Sequence, residues 1–315
     1  MSEFDLIRRY FTRPASGAVL GVGDDAALLH VAGGMELAVS TDMLVSGTHF
    51  FPDADPFLLG HKTLAVNLSD LAAMGAVPRW ATLALSLPDA DDGWLQRFSD
   101  GFFALADEYG VELVGGDTTR GPLNLSVTIM GEVPQGMALR RSGARAGDDV
   151  WVSGALGRAA LGLAHLQGRI DLAGDVRSRC LAALHRPQPR VDLGLALRGI
   201  ANSAIDISDG LLADLGHIAE SSHVAAEVEY AAIPADALRG VDESLLRHCV
   251  LSGGDDYELC FTVPAAKRGE VETLAAKLSL PLARIGAIAA GQGCTVRSTD
   301  GSVMTTKEAG YDHFA

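Results

Sequence analysis

Apolar positions in this chain recur at two periods, and residues 61–76 (HKTLAVNLSDLAAMGA) carry the clearest one. Leu64, Ala65, Leu68, Leu71 and Ala72 repeat at the three-and-four spacing of a helix packed on a core. Similar helical patterning covers 3–11, 155–167, 177–184, 211–220, 242–250 and 267–277, and a further helix over 92–109 is stopped by Gly110. Strand patterns fall at 18–22, ending in a GDD turn, and at 36–40, which delivers Thr41 and Asp42 at its end. Others fall at 80–87, at 111–114 ending in GGDTTRG, and at 123–133, 149–153, 202–207 and 224–228. Helices alternating with strands predict an α/β or α+β layer. The polar, basic stretch 139–147 (LRRSGARAG) interrupts the pattern. It divides the chain into domains 1–138 and 139–315, as a length of 315 residues favours.

Polar residues interrupt the helical stripe in a way that points to chemistry. Thr63, Asn67, Asp70 and Met74 fall on one side of the 61–76 helix. A carboxylate there is costly to bury unless it is paired or bound to a metal. A lone Asp would be read as an edge residue. Five acidic turns accompany this one, however: GDD at 23–25, STD at 40–42, GGD at 115–117, DISD at 206–209 and GGDD at 253–256. Together they predict one convergent site, with glycines allowing close backbone approach to a ligand. Carboxylates are hard ligands suited to Mg²⁺ or Ca²⁺, and no histidine pair has zinc-binding spacing. The spread from Asp24 to Asp256 excludes an EF-hand, whose ligands share one loop.

Mg²⁺ binds through few carboxylates together with waters and substrate phosphates, so the cluster predicts a nucleoside triphosphate. No P-loop and no HRD or DFG kinase set is present. GVGDDA fits GxGxxA in letters, but two carboxylates would repel a pyrophosphate at that turn. Residue types alone leave open a metal-dependent phosphohydrolase and a non-catalytic cation-binding protein. Asp24 reads as a turn residue, Asp256 as a strand cap and Tyr257 as core.

The net charge of −15 argues against a nucleic-acid partner. With only Lys62, Lys267, Lys277 and Lys307, charge opposite a phosphate ligand must come largely from divalent cations. Cys180, Cys249, Cys260 and Cys294 form no CxxC pair and read as reduced core residues. The N-terminal stretch lacks an apolar signal core and no apolar run is long enough to span a bilayer. No membrane partner and a cytoplasmic location are therefore expected.

The ordered segments GVGDDAALL, STDMLVSGTHF, HKTLAVNLSDLAAMGA, GGDTTRG, RSGARAGD, NSAIDISDGL, SGGDDYELCFTVP and GYDHF resemble the motif set of the thiamine-monophosphate kinase family. That family shares a superfamily with aminoimidazole ribonucleotide and selenophosphate synthetases, whose ATP-dependent chemistry is the alternative. A selenophosphate synthetase usually needs a reactive N-terminal Cys, and the first cysteine here is Cys180. The resemblance implies a two-domain synthetase-like fold: an N-terminal mixed sheet forming a barrel in a homodimer, and a C-terminal α/β domain closing a cleft. It implies ATP as co-substrate, several Mg²⁺ ions, and transfer of the γ-phosphoryl group to thiamine monophosphate. Asp25, Ser40, Thr41, Asp42, Asp70, Asp117, Asp206 and Asp209 then correspond to metal ligands. Gly116, Arg141 and Ser208 correspond to ATP contacts, and His49, Asp255 and Tyr311 to contacts with thiamine monophosphate. The family commonly has Glu at the position of Asp255.

Overall fold

The computed structural model describes residues 2–236, 241–304 and 310–311. Met1–Leu71 with Ala76–Gly136 form one compact unit, and Ala72–Gly75 with Met137–Ala315 form a second.

In the first unit α1 (Glu3–Leu6) runs into a π turn, Ile7–Phe11. The strands are β1 (Met35–Val45), β2 (Val77–Leu87), β3 (Glu112–Arg120) and β4 (Asn124–Pro134). They form a mixed sheet in the order β1-β4-β2-β3, antiparallel except for the parallel β2–β3 pair. Its helices are α2 (Pro56–Ala73) and α3 (Asp92–Tyr109), the latter ended by Gly110 in the left-handed conformation.

Helix α2 departs from an amphipathic surface helix, because every residue from His61 to Ser69 is buried, polar ones included. It is a core helix on all sides, and close approach to α3 makes this possible. A Cβ on Gly101 would lie 1.9 Å from the Phe57 carbonyl oxygen, and one on Gly60 would lie 2.1 Å from that of Phe98. Two helix backbones can meet this closely only without side chains at the crossing.

Two acidic segments expected as turns lie inside strands. β1 does not stop at Ser40 but continues through Thr41 and Asp42 to Val45, in an unbroken antiparallel ladder with β4. β3 likewise runs through Gly115–Asp117 to Arg120, paired in parallel with β2. Neighbouring-strand hydrogen bonds outweigh the turn preference of single glycines here. The expected strand at 18–22 reduces to isolated bridges, Leu20 with Leu28 and Val22 with Asp24, because the segment pairs only with its own return.

The second unit holds a six-stranded sheet in the order β10-β7-β9-β5-β8-β6. Its strands are β5 (Asp148–Ser153), β6 (Ser203–Asp206), β7 (Ala225–Glu229), β8 (Leu259–Pro264), β9 (Leu282–Ala289) and β10 (Gly293–Arg297). Its helices are α4 (Arg158–Leu166), α5 (Gly174–His185), α6 (Val191–Leu197), α7 (Leu211–Ser222), α8 (Glu243–Ser252) and α9 (Arg268–Leu278). The periodicity had indicated all of these except α6, which is too short to display a repeat. Leu211, Leu215 and Ile218 of α7 pack with Val150, Val152, Ile205 and Val228 of the sheet to make the main core. Cys180 and Cys249 join a smaller cluster, and burial pushes both thiols up to about 11, so they are inert at neutral pH.

Candidate functional site

Strand alternation sorts the acidic residues of the first unit. Paired residues of adjacent strands share a face, so Ser40 and Asp42 stand on the face of Ile129 and Val127, both fully buried. On that face the Ser40 hydroxyl donates to the Asp70 carboxylate of α2 at 2.5 Å. The Asp42 amide donates to Asn67 Oδ1 at 3.1 Å, and Asn67 Nδ2 donates to the Thr63 carbonyl at 3.0 Å. Asn67, 1% exposed, thereby ties the β1 backbone at Asp42 to α2, the helix that carries Asp70. The sequence signal for Asn67 was its amide inside an apolar helix, though its role as a brace was not legible there.

Thr41 points to the opposite face, where its hydroxyl meets that of Thr128 at 2.8 Å. Asp117 also faces that side, for a reason no local pattern reveals. Ala81 pairs with Leu113 but Thr82 pairs with Gly115, so Val114 is an extra, bulged residue. The bulge flips the alternation, putting Leu113 on the buried face and Asp117 in the exposed row of Ala84, Ser126 and Met43. β1 and β3 are the two edges of the sheet, so Asp117 is three strand spacings, about 14 Å, from the Asp42 edge. Gly116 lies beside it, against the Leu83 backbone. Asp25 is exposed on its own turn, with its amide bonded to Asp24. His49 is held in the loop after β1, its Nδ1 accepting the Val45 amide at 3.0 Å, which leaves the proton on Nε2.

In the second unit, residues far apart in the chain converge on the turn that follows β6. Beyond Asp206 the chain stays beside the segment before β8: the Ile207 amide donates to the Glu258 carbonyl, and the Tyr257 amide to the Ile207 carbonyl, both at 2.8 Å. The Asp255 amide donates to the Ser208 carbonyl at 2.8 Å, and the Tyr311 amide to the Asp209 carbonyl at 3.0 Å. Asp206, Ser208, Asp209, Asp255 and Tyr311 are thus brought together. Asp255 and Tyr257 both have positive φ, 72° and 50°, a strained backbone typical of functional loops. Arg141 is exposed, and its carbonyl accepts from Ser222 at the far end of α7, about 17 Å along the helix from this turn. Asp312, His313 and Phe314 of the aromatic terminus lie outside the described residues.

Two buried carboxylates support this region. Asp214 receives the amides of Ser208, Asp209 and Gly210 at 3.1 Å each. Its burial, with the Asp209 charge adding, pushes its carboxyl up to about 7 against those three donors. Asp256 was expected to cap a strand and instead caps α4, accepting from Gly157 at 2.7 Å and Ala159 at 3.4 Å. Beside it Arg190 grips Glu258 through two bonds of 2.6 and 2.5 Å.

Burial pushes the Asp256 carboxyl up to about 8 from its ordinary 3.8, with the Glu258 and Asp255 charges adding. The folded protein therefore holds this proton more tightly than the unfolded chain, and the associated stability is lost as pH rises from about 4 to 8. Asp256→Asn keeps an acceptor for Gly157 without the buried charge. Its melting temperature relative to wild type is expected to be several degrees more favourable at pH 8 than at pH 5. Scanning calorimetry at the two pH values checks this, and an equal difference at both would refute it.

Among the described residues no three His, Cys, Asp or Glu side chains form a ready-made cation cage. The Ser40, Asp42 and Asp70 oxygens nevertheless form a hard, anionic donor set, which suits Mg²⁺ completing its shell with waters and phosphates.

The family model for the AIR synthase related protein N-terminal domain matches residues 23–133, and that for the C-terminal domain matches residues 145–298. The chain is 51% identical to the thiamine-monophosphate kinase of Escherichia coli (strain K12), covering 99% of this chain and 98% of that protein. It is similar to the crystal structure of thiamine-monophosphate kinase from Stenotrophomonas maltophilia K279a, with a TM-score of 0.85 at 52% identity over 96% of each chain. It is also similar to AaThiL complexed with AMPPCP and TMP, with a TM-score of 0.79 at 31% identity over 99% of this chain and 96% of that one.

Proposed function

The chain belongs to the AIR synthase related family and, within it, to the thiamine-monophosphate kinases, and we propose that it transfers the γ-phosphoryl group of ATP to thiamine monophosphate, giving thiamine diphosphate and ADP. The observation that carries this reading to individual residues is the turn after β6. It gathers Ser208, matched to a nucleotide contact, with Asp255 and Tyr311, matched to acceptor contacts.

The acceptor needs little activation. A phosphate monoester has its second pKa near 6 and is mostly dianionic at neutral pH, so no strong base is required. Orientation and charge are the remaining problem. In the first unit Ser40, Asp42 and Asp70 would hold Mg²⁺, with Asn67 tying the β1 backbone at Asp42 to α2. In the second, Asp206 and Asp209 would do so. Thr41 and Asp117 stand on the sheet face opposite Ser40 and Asp42, and with Asp25 they are assigned to Mg²⁺ by motif correspondence. Mg²⁺ supplies charge neutralisation where two polyanions must meet. Gly116 and Arg141 are assigned to ATP on the same correspondence. His49 presents an Nε2–H suited to donating to the acceptor phosphate. Tyr311, 53% exposed, offers an aromatic face to a cationic thiazolium ring. The aspartates are metal holders, not nucleophiles, so transfer is direct.

A homodimer is part of this reading. Leu37, Val39 and Met43 are 41%, 58% and 53% exposed on one face of β1, an apolar stripe that a second copy would cover. No helix among the described residues is long and apolar enough to cross a membrane. Cysteines without disulfides fit a cytoplasmic setting.

Incubation of the purified protein with ATP, Mg²⁺ and thiamine monophosphate is expected to yield thiamine diphosphate one-for-one with ADP. EDTA is expected to abolish product and excess Mg²⁺ to restore it. Free phosphate without thiamine diphosphate would identify a phosphohydrolase, and ATP use only with another acceptor would identify a synthetase relative.

A further inference from the structure

The segment 207–210 leaves no backbone group of its central turn without a partner. Its carbonyls at Ile207, Ser208 and Asp209 accept from Tyr257, Asp255 and Tyr311. The amide of Ile207 donates to Glu258, and those of Ser208, Asp209 and Gly210 all reach one oxygen, Oδ2 of Asp214. Three consecutive amides aimed at one atom require a tight arc of backbone, which turns the carbonyls outward. Those outward carbonyls are what hold Asp255 and Tyr311. Asp214 itself is 2% exposed on the first turns of α7, so it is a fixed point in the main core of its unit.

We propose that Asp214 is a positioning residue for phosphoryl transfer: its carboxylate shapes the 207–210 turn, and through that turn it sets the residues for the nucleotide and for the acceptor at once. This rests on the functional reading above for what Ser208, Asp255 and Tyr311 bind. An asparagine keeps one oxygen for the three amides, but it cannot supply the ionised form of the carboxyl, which makes the stronger bonds. A Leu side chain of similar size leaves all three donors buried without a partner.

In Asp214→Asn, the KM values for ATP and for thiamine monophosphate are both expected to rise, by about three- to tenfold, with kcat lowered by a similar factor. In Asp214→Leu, kcat/KM for thiamine monophosphate is expected to fall at least a hundredfold. Asp149→Asn is the control: Asp149 is a buried carboxylate on β5 paired with Arg268 and Arg284, away from this turn. It should lower the melting temperature without changing either KM. The effect of Asp214→Asn on the KM for thiamine monophosphate should also shrink in an Asp255→Ala background, because the two act through one turn. The proposal is overturned if Asp214→Asn matches the control, losing stability with both KM values unchanged, or if its effect is fully additive with Asp255→Ala. Should the variants fail to fold, hydrogen exchange on the wild type decides: amides 208–210 are expected to exchange as slowly as those inside α7, and exchange at loop rates overturns the proposal. Absence of thiamine diphosphate from the wild-type enzyme would overturn the functional reading instead, while the exchange measurement still tests the turn.

Discussion

Asp70→Asn is expected to lower kcat for thiamine diphosphate formation by about a thousandfold or more while leaving the fold in place. The amide is nearly the same size as the carboxylate and keeps an oxygen for the Ser40 hydroxyl, so the junction between α2 and β1 survives. What disappears is the charge. Metal-assisted neutralisation is worth several kcal/mol in a transition state, and about 4 kcal/mol corresponds to a thousandfold. Ser40→Ala removes a neutral donor from the same set and should cost only about fivefold, in line with an ordinary hydrogen bond of about 1 kcal/mol. Steady-state rates beside circular dichroism check both. A folded Asp70→Asn enzyme with more than a tenth of wild-type kcat would remove Asp70 from the metal site.

Gly101→Ala is expected to destabilise the first unit by about 3 kcal/mol or more, although alanine is the better helix former by about 1 kcal/mol. Space decides the sign. The new Cβ would sit 1.9 Å from the Phe57 carbonyl oxygen and 2.7 Å from its carbon, both backbone atoms that cannot rotate away. Relief requires α2 and α3 to separate. Because α2 carries Asn67 and Asp70, the variant should also raise KM for ATP even where it stays folded. Gly216→Ala in α7 provides the contrast, since a Cβ there meets nothing within 4 Å. The same exchange should stabilise by about 0.5–1 kcal/mol. Denaturant unfolding of both variants tests the pair. If Gly101→Ala unfolds no more readily than wild type, the helix crossing is looser than described.

The comparison of these two glycines shows where local reading stops. Both sit inside helical patterns, and nothing in their neighbours along the chain tells them apart. The same limit applies to the acidic segments. GDD is a turn as its glycine suggests, and DISD turns once β6 ends at Asp206, whereas STD and GGD are held within β1 and β3 by pairing with strands remote in sequence. Asp256 looked like a strand cap and caps a helix that begins almost a hundred residues earlier.

Periodicity along the chain, with its stops and its ordered motifs, was enough to identify the central helix, most other helices, the alternation of β4, the acidic character of the site and the family. Each of these depends on residues within a few positions of one another, where spacing alone sets which side chains share a face. The folded chain was needed for the all-round burial of α2, the aim of Asp117, the bracing by Asn67 and Asp214, and the gathering of Ser208, Asp255 and Tyr311. Each of these depends on which distant strand supplies the next hydrogen bond. A single bulged residue, Val114, illustrates the reason: one extra position in a parallel pair reverses every face after it, and only the partner strand records that it is there.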